Sequence, residues 1–393
     1  MKKTIKDIDV SGKRVLLRVD FNVPLDDNGN ITDDTRIRVE MPTIKYLLQR
    51  GARVIICSHL GRPNGEVNPK YSLLPVAKYL INELLGRVFF AQDCVGIETK
   101  AKANTLKDGE VLILENLRFH REEEANDPFF AKELASLADI YVNDAFGTAH
   151  RKHASTYGVA KLLPNAVGFL MGKEINTINS VIENPERPFV AILGGAKVDD
   201  KISLIKNFIQ KCDALLIGGG MAFTFLKAQG VEIGNSLVDN EKLDIAKSIL
   251  IDAKKNNCKV ILPVDYLCAT AFSPNAKARK LKGNIPEGLQ GLDIGPKTIK
   301  LFKKELKQAK SLIWNGPLGV FEFKNFSNGT TAVAKLVLKF KGKAVIGGGD
   351  SVSAIKKVGN TDKVYHISSG GGASLKLMSG DILPGVEVIE EVK

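Results

Sequence analysis

Hydrophobic residues recur along this chain in two alternating patterns. Short runs rich in Val, Ile and Leu stop abruptly at polar, basic or glycine residues, and longer stretches follow in which apolar positions return every three or four residues. In the first half the short runs are 15–22 (VLLRVDFN), 52–63 (ARVIICSHLGRP), 111–120 (VLILENLRFH) and 140–151 (IYVNDAFGTAHR). Between them lie helix-period segments such as 36–51 (RIRVEMPTIKYLLQRG) and 72–86 (SLLPVAKYLINELLG), the latter closed by Gly86 as a helix C-cap. Strand alternating with helix predicts a parallel sheet. The second half repeats the theme with more glycine, in 189–197 (FVAILGGAK), 214–223 (ALLIGGGMAF), 260–266 (VILPVDY), 311–322 (SLIWNGPLGVFE), 343–351 (KAVIGGGDS) and 364–374 (VYHISSGGGAS). The basic stretch 276–291 lacks a clear period and reads as a loop or a hairpin.

Near the middle, 166–188 (AVGFLMGKEINTINSVIENPERP) keeps a helical period for about five turns and stops before Pro185 and Pro188. Its position fits a helix joining two domains; a crossover helix within one domain is the competing reading. A chain of 393 residues exceeds one ordinary core, so two domains of roughly 200 residues are expected.

The stretch 189–202 (FVAILGGAKVDDKI) places an apolar run, a glycine turn at Gly194 and Gly195, Lys197, and then a helix entered through Asp199 and Asp200, which have the chemistry of caps. Strand, glycine turn and helix start make an anion site, because unpaired amides and the helix dipole both point at the turn. Lys201 falls in the first helical turn, where a cation is disfavoured unless an anion sits opposite it.

Functional groups in parallel sheets collect beyond the carboxyl ends of the strands. In the first half those ends carry Asp20, Asn22, His59, Arg62, Arg118, His150, Arg151 and His153. Each basic residue alone could be a solvated surface charge; several strand ends feeding cations to one rim fit a small polyanion. In the second half three GGG triplets stand at strand ends, where close approach of backbone to a ligand explains them better than turns do, since each glycine costs entropy on ordering.

Composition narrows the class. Hydrophobic content of 44% and charged content of 25% are ordinary for a globular protein. No apolar run approaches the roughly 18 residues of a spanning helix, and the N-terminus lacks the apolar core of a signal peptide, so a cytoplasmic protein without membrane association is expected. The five cysteines form no CxxC pair and read as small buried hydrophobes. A formal charge of +12 favours acidic partners, phosphorylated metabolites or nucleic acid. Nucleic acid is disfavoured by 7% aromatics and by the lack of a basic run interleaved with them.

Neither GxxxxGK[ST] nor a GxGxxG at a strand end occurs, which weighs against the common phosphate-loop fold and against an NAD-dependent oxidoreductase. Ten motifs in order, RVDFNVP, SHLGRP, ENLRFH, GTAHRKHAS, LGGAKVDDKI, IGGGMAFTF, GLDIGP, WNGPLGVFE, GGGDS and SSGGGASL, give the chain an end-to-end resemblance to the phosphoglycerate kinase family. The resemblance implies two doubly wound, Rossmann-like parallel-sheet α/β domains with a cleft between them. Residues 1–168 with 380–393 would form a phosphoglycerate-binding domain, 169–184 an interdomain hinge helix, and 185–379 a nucleotide-binding domain.

It further implies that Asp20, Asn22, Arg36 (in DDTRIRV), His59, Arg62, Arg118 and Arg151 bind phosphoglycerate. Gly194, Gly195, Lys197, Lys201, Gly219, Gly291, Asn315, Glu322, Gly349, Asp350 and Ser351 would bind ADP or ATP, with Asp350 on the nucleotide's Mg2+. Read without the family, Asp350 is a helix N-cap for SVSAIKKV. Arg36, Lys201, Gly371 and Gly372 would face the transferring phosphoryl group. The implied reaction passes the acyl phosphate of 1,3-bisphosphoglycerate to MgADP, giving 3-phosphoglycerate and MgATP reversibly, in a glycolytic monomer that closes about its hinge. A catalytically silent nucleotide-binding scaffold of the same fold is the alternative.

Overall fold

A computed structural model describes residues 1–85 and 87–392; Gly86, expected to cap a helix, and Lys393 lie outside the described residues. Contacts divide the chain into two compact units. One is Met1–Ile175 with the stretch from Ile382 onward, the other Asn176–Asp381.

In the first unit six strands, β1 (Arg14–Arg18), β2 (Arg53–Cys57), β3 (Val88–Phe90), β4 (Val111–Ile113), β5 (Ile140–Asn143) and β6 (Asn165–Val167), lie in the order β3-β4-β2-β1-β5-β6. Every pairing in it is parallel. The strands are short and, apart from polar residues at their ends, apolar without alternation, as expected of a parallel sheet buried on both faces. Helix Thr35–Gln49 turns Ile37, Met41, Ile44 and Leu47 to the core, and Glu40 and Thr43 share that buried stripe. Helix Leu74–Glu83 starts with Pro75 in its first turn, later than the 72–86 pattern implies. From Ile382 the chain returns to this unit: the Gly385 N–H donates to the Ala149 carbonyl (2.8 Å) and the Glu390 N–H to Asn165 Oδ1 (2.8 Å).

The long central helix is shorter than its sequence period. It spans Phe169–Glu183, while Asn165–Val167 pairs with β5 as a strand. Gly168 makes the break, since a side chain there would strike the Asp144 carboxylate.

The second unit has β7 (Phe189–Leu193), β8 (Ala214–Ile217), β9 (Lys259–Ile261), β10 (Asp265–Ala269), β11 (Arg279–Lys282), β12 (Gln290–Ile294), β13 (Ser311–Asn315), β14 (Lys343–Gly347) and β15 (His366–Ile367). Six form a parallel sheet in the order β15-β14-β13-β7-β8-β9. The remaining three make an antiparallel sheet, β11-β10-β12, which the sequence pattern does not disclose. The single run expected at 260–266 is two strand pieces, split around Pro263, which cannot donate to a ladder. The stretch 276–291 supplies β11 and the first residues of β12, which flank β10 and do not pair with each other, so it is neither a plain loop nor a self-contained hairpin. Its period is obscured because β11 (RKLK) is largely exposed and only Leu281 packs inward.

In both parallel sheets the strand order reverses beside the first strand: between β1 and β5 in one unit, and between β7 and β13 in the other. Such a reversal splays the following loops apart and opens a crevice at the strand ends.

Candidate active site

In the first unit the loops after β1, β2 and β4 are tied together at Gly61. Its N–H donates to Asn22 Oδ1 (2.8 Å), and its carbonyl accepts from Arg118 Nη1 (2.7 Å). Asn116 fixes the same loop, holding both the N–H and the carbonyl of Leu60. Arg62 follows, exposed, and Arg118 is buried beside an ion pair with Glu124 at 3.0 Å.

Asp20 is the electrostatic centre of this group. Its Oδ2 pairs with Arg36 Nη1 at 2.5 Å, its Oδ1 lies 3.9 Å from His59 Nδ1, and its own N–H donates to Glu40 Oε1 (3.1 Å). Burial opposes its ionisation, but Arg36, Arg18 and the hydrogen bond from the Asn22 N–H outweigh that and hold the carboxyl below the usual range. Gly147 leaves room for this carboxylate, since a side chain there would press on Oδ2.

The histidines behave differently from the rim cations expected of them. Burial pushes His59 well below its ordinary value, and the fields of Arg18, Arg118 and Arg151 add to the shift despite Asp20. His153 falls to about 3 for the same reasons. Both are neutral at physiological pH, so the positive potential comes from arginines. Arg151 Nε lies 3.3 Å from His150 Nε2.

Arg18 is the residue the motif reading passes over. It is 1% exposed and donates to Ser155 Oγ (2.9 Å) and to the Val19 carbonyl, with Nη2 3.3 Å from His59 Nδ1. Ser155 Oγ donates in turn to the buried Glu123 (2.6 Å). The available signal was an arginine directly following the apolar run of strand RVLLR, at its carboxyl end. A buried arginine needs such partners to offset its lost hydration.

In the second unit Lys201 Nζ donates to Asn315 Oδ1, joining the loop after β7 to the end of β13 across the order reversal. Burial lowers the Lys201 ammonium, and the fields of Asp200 and Asp350 oppose that shift. Lys201 occupies the N-cap position of helix Ile202–Lys211, and no side chain caps that helix. The expected Asp caps do not form: a short 3-10 turn covers Asp199–Lys201, and Asp199 pairs with Lys242 at 2.9 Å. Asp350 is not an N-cap either. Gly348 holds that position for helix Gly349–Val358, leaving Asp350 exposed in the first turn. Ser351, fully buried, accepts the Gly316 N–H at 2.6 Å and so braces the β13 loop.

The glycines divide into two groups. A side chain at Gly194 would land on the carbonyls of Pro317 and Gly316, one at Gly219 on the backbone of Gly195, and one at Gly316 on that of Gly194. Backbone against backbone, rather than backbone against ligand, is what requires glycine at these three. Gly349 and Gly371 meet nothing within 4 Å, so their surface is open to a ligand. Gly371 precedes helix Gly372–Met378 with φ of 49°. Gly291 lies in the antiparallel sheet against the Phe223 ring, its N–H donating to Ser236 Oγ (2.9 Å), and Glu322 and Lys197 are exposed on loops.

Two parallel-sheet units, one with an arginine-rich strand-end rim and one with a glycine-rich rim that carries Lys201, define an α/β protein of the class that takes anionic ligands at strand-order reversals. Its motifs run in one order from end to end. The chain belongs to the phosphoglycerate kinase family, whose model matches residues 5–381. It is 55% identical to a phosphoglycerate kinase of Gloeothece citriformis, over 99% of both chains. It is also 55% identical to the cytosolic phosphoglycerate kinase 3 of Arabidopsis thaliana, over 99% of this chain and 98% of that one. The solved phosphoglycerate kinase of Coxiella burnetii superposes with a TM-score of 0.91 at 39% identity, covering 99% of this chain and 98% of that one.

Proposed function

We propose that this chain transfers the acyl phosphate of 1,3-bisphosphoglycerate to MgADP, reversibly, yielding 3-phosphoglycerate and MgATP. The observation that carries the reading is Lys201, half-buried at the strand-order reversal, held by Asn315 and within the field of Asp350. In this reading the first unit, 1–168 with 380–393, takes the phosphoglycerate through Asp20, Asn22, Arg36, His59, Arg62, Arg118 and Arg151. The second, 185–379, takes the nucleotide through Gly194, Gly195, Lys197, Lys201, Gly219, Gly291, Asn315, Glu322, Gly349, Asp350 and Ser351.

The reaction places modest demands on proton chemistry. The leaving group is a carboxylate and the attacking group a phosphate oxygen, both already ionised near neutral pH, so no general base is required. What is required is stabilisation of charge on the equatorial oxygens of the moving phosphoryl group. Arg36 and Lys201 supply cations for it, and the amides of Gly371 and Gly372 supply donors. His59, being neutral, can donate a hydrogen bond without adding charge.

The exposed carboxylate of Asp350 suits a magnesium ion carried in by the nucleotide, because Mg2+ is usually held by one or two protein carboxylates together with substrate phosphates and water. Bound to the nucleotide phosphates, the ion screens their charge.

Arg36 and Lys201 belong to different units, so the proposal includes a closing motion with helix Phe169–Glu183 and the C-terminal return as its hinge. A cytoplasmic monomer is the form proposed. Among the described residues, no helix is long and apolar enough to cross a membrane.

The test is a coupled assay of ADP-dependent ATP formation from the acyl phosphate, run with and without magnesium. Activity should require the ion, and Lys201→Ala should lower kcat by on the order of 100-fold or more with little change in nucleotide affinity. Undiminished turnover in that variant would remove Lys201 from the mechanism. No ATP formation by the wild-type chain would instead favour the silent scaffold.

A further inference from the structure

All five cysteines are free and buried, as small apolar residues would be. Two of them, 46 positions apart in sequence, nevertheless meet: Cys212 Sγ lies 3.5 Å from Cys258 Sγ. Each stands where a helix hands over to a strand. The Cys212 N–H closes helix Ile202–Lys211 on the Phe208 carbonyl (2.8 Å), just before β8; the Cys258 N–H donates to the Ala253 carbonyl (2.9 Å), just before β9. One residue further along, the Lys259 N–H donates to the Asp213 carbonyl at 3.0 Å, so the two backbones run side by side at ladder spacing. The sulfurs must close from 3.5 Å to the roughly 2.05 Å of a disulfide bond, a shift of about 1.5 Å.

We propose that Cys212 and Cys258 are an oxidisable dithiol that a small peroxide converts to a disulfide, clipping the two helix-to-strand junctions together. Cys258 is the attacking sulfur. It lines a cavity of about 520 Å³ with Lys247, Lys254 and Lys259, whose ammonium groups favour an anion there. The sulfur–sulfur hydrogen bond with Cys212, in which either thiol can donate, holds the Cys258 thiol below its usual range although burial and Asp213 oppose the shift. Cys57 and Cys268 are pushed up by burial, to about 12 and about 11, and Cys94 well above its ordinary value, so these three are poor nucleophiles.

The chemistry balances in two steps. The Cys258 thiolate attacks a peroxide oxygen: an S–O bond forms, the O–O bond breaks, and the departing hydroxide takes a proton to become water. Cys212 then attacks the sulfenic sulfur: the S–S bond forms, the S–O bond breaks, and a second water leaves with the Cys212 proton. The sulfur pair loses two electrons and the peroxide gains them. A thiol reductant reverses the bond. The clip sits before the first residues of β8 and β9, at the end of those strands opposite Gly218 and Gly219, so it leaves the Lys201 loop alone.

The test starts from fully reduced full-length protein treated with dilute hydrogen peroxide. Non-reducing peptide mass analysis should find one linked pair containing Cys212 and Cys258, thiol titration should fall from five to three, and Tm should rise by several degrees, reversed by dithiothreitol. Cys212→Ser and Cys258→Ser should each abolish both the link and the rise. Five titratable thiols and an unchanged Tm after peroxide would overturn the proposal, as would a link through any other cysteine or sulfinic acid at Cys258 without a link. Because the decisive readout is made on the wild-type chain, a poorly folding variant does not shelter it.

Discussion

Asp144 shows how one residue carries more than its local sequence announces. It is fully buried at the end of β5, where Oδ2 accepts from the Thr43 hydroxyl (2.5 Å) and Oδ1 from the Met171 N–H (2.8 Å) in the first turn of helix Phe169–Glu183. Burial raises its pKa to about 6, and burial together with Asp144 raises Glu40 well above the usual range. A carboxyl whose folded pKa exceeds its unfolded value, about 3.9, stabilises the fold fully below that value and loses the contribution as pH rises through about 6. Asp144→Asn is neutral at every pH. The stability of wild type relative to this variant should therefore fall between pH 4 and pH 7, by on the order of 2 kcal/mol, in urea midpoints measured across that range. A flat difference would mean that the carboxyl titrates normally. None of this is legible in IYVNDAFGTAHR, where Asp144 looks like one more strand-end polar residue, because burial depends on Gly168 and helix Phe169–Glu183 closing over it.

At the level of elements, the glycine turns were legible but their reason was not. Strand followed by glycines marks the loops after β7, β8 and β13 in sequence. That Gly194, Gly219 and Gly316 exist to let those three loops touch backbone to backbone requires knowing that β7, β8 and β13 are neighbours. Gly194→Ala should thus destabilise the protein by about 1–3 kcal/mol, as overpacking does, and weaken nucleotide binding while leaving phosphoglycerate binding intact. Gly349→Ala, with nothing in the way of the new methyl group, should stay within about 0.5 kcal/mol of wild type in the same denaturation experiment. Equal losses for the two would refute the division between packing glycines and open ones. The antiparallel sheet is the converse case. A four-residue strand reading RKLK carries too little alternation to be told from a loop, and only pairing with β10 makes it one.

For the whole molecule, the proposed reaction needs the two reactants within bonding distance while the residues proposed to bind them lie on separate units. Small-angle scattering with both substrates bound should give a smaller radius of gyration than either substrate alone. An identical radius in all states would argue against closure.

The sequence by itself determined the class and the family: the period of its apolar residues predicts alternating strand and helix, and ten ordered motifs carry the family resemblance. It also named the arginines and Lys201, because charged residues at the ends of apolar runs stand out in one dimension. Tertiary structure alone decided which of these groups are charged, with His59 and His153 neutral among arginines that lie far from them in sequence. It likewise decided what the glycines accommodate, that Arg18 is buried, and that Cys212 meets Cys258. Protonation, close packing and sulfur contact all depend on distances between chain segments that share no local pattern, and those distances exist only once the chain has folded.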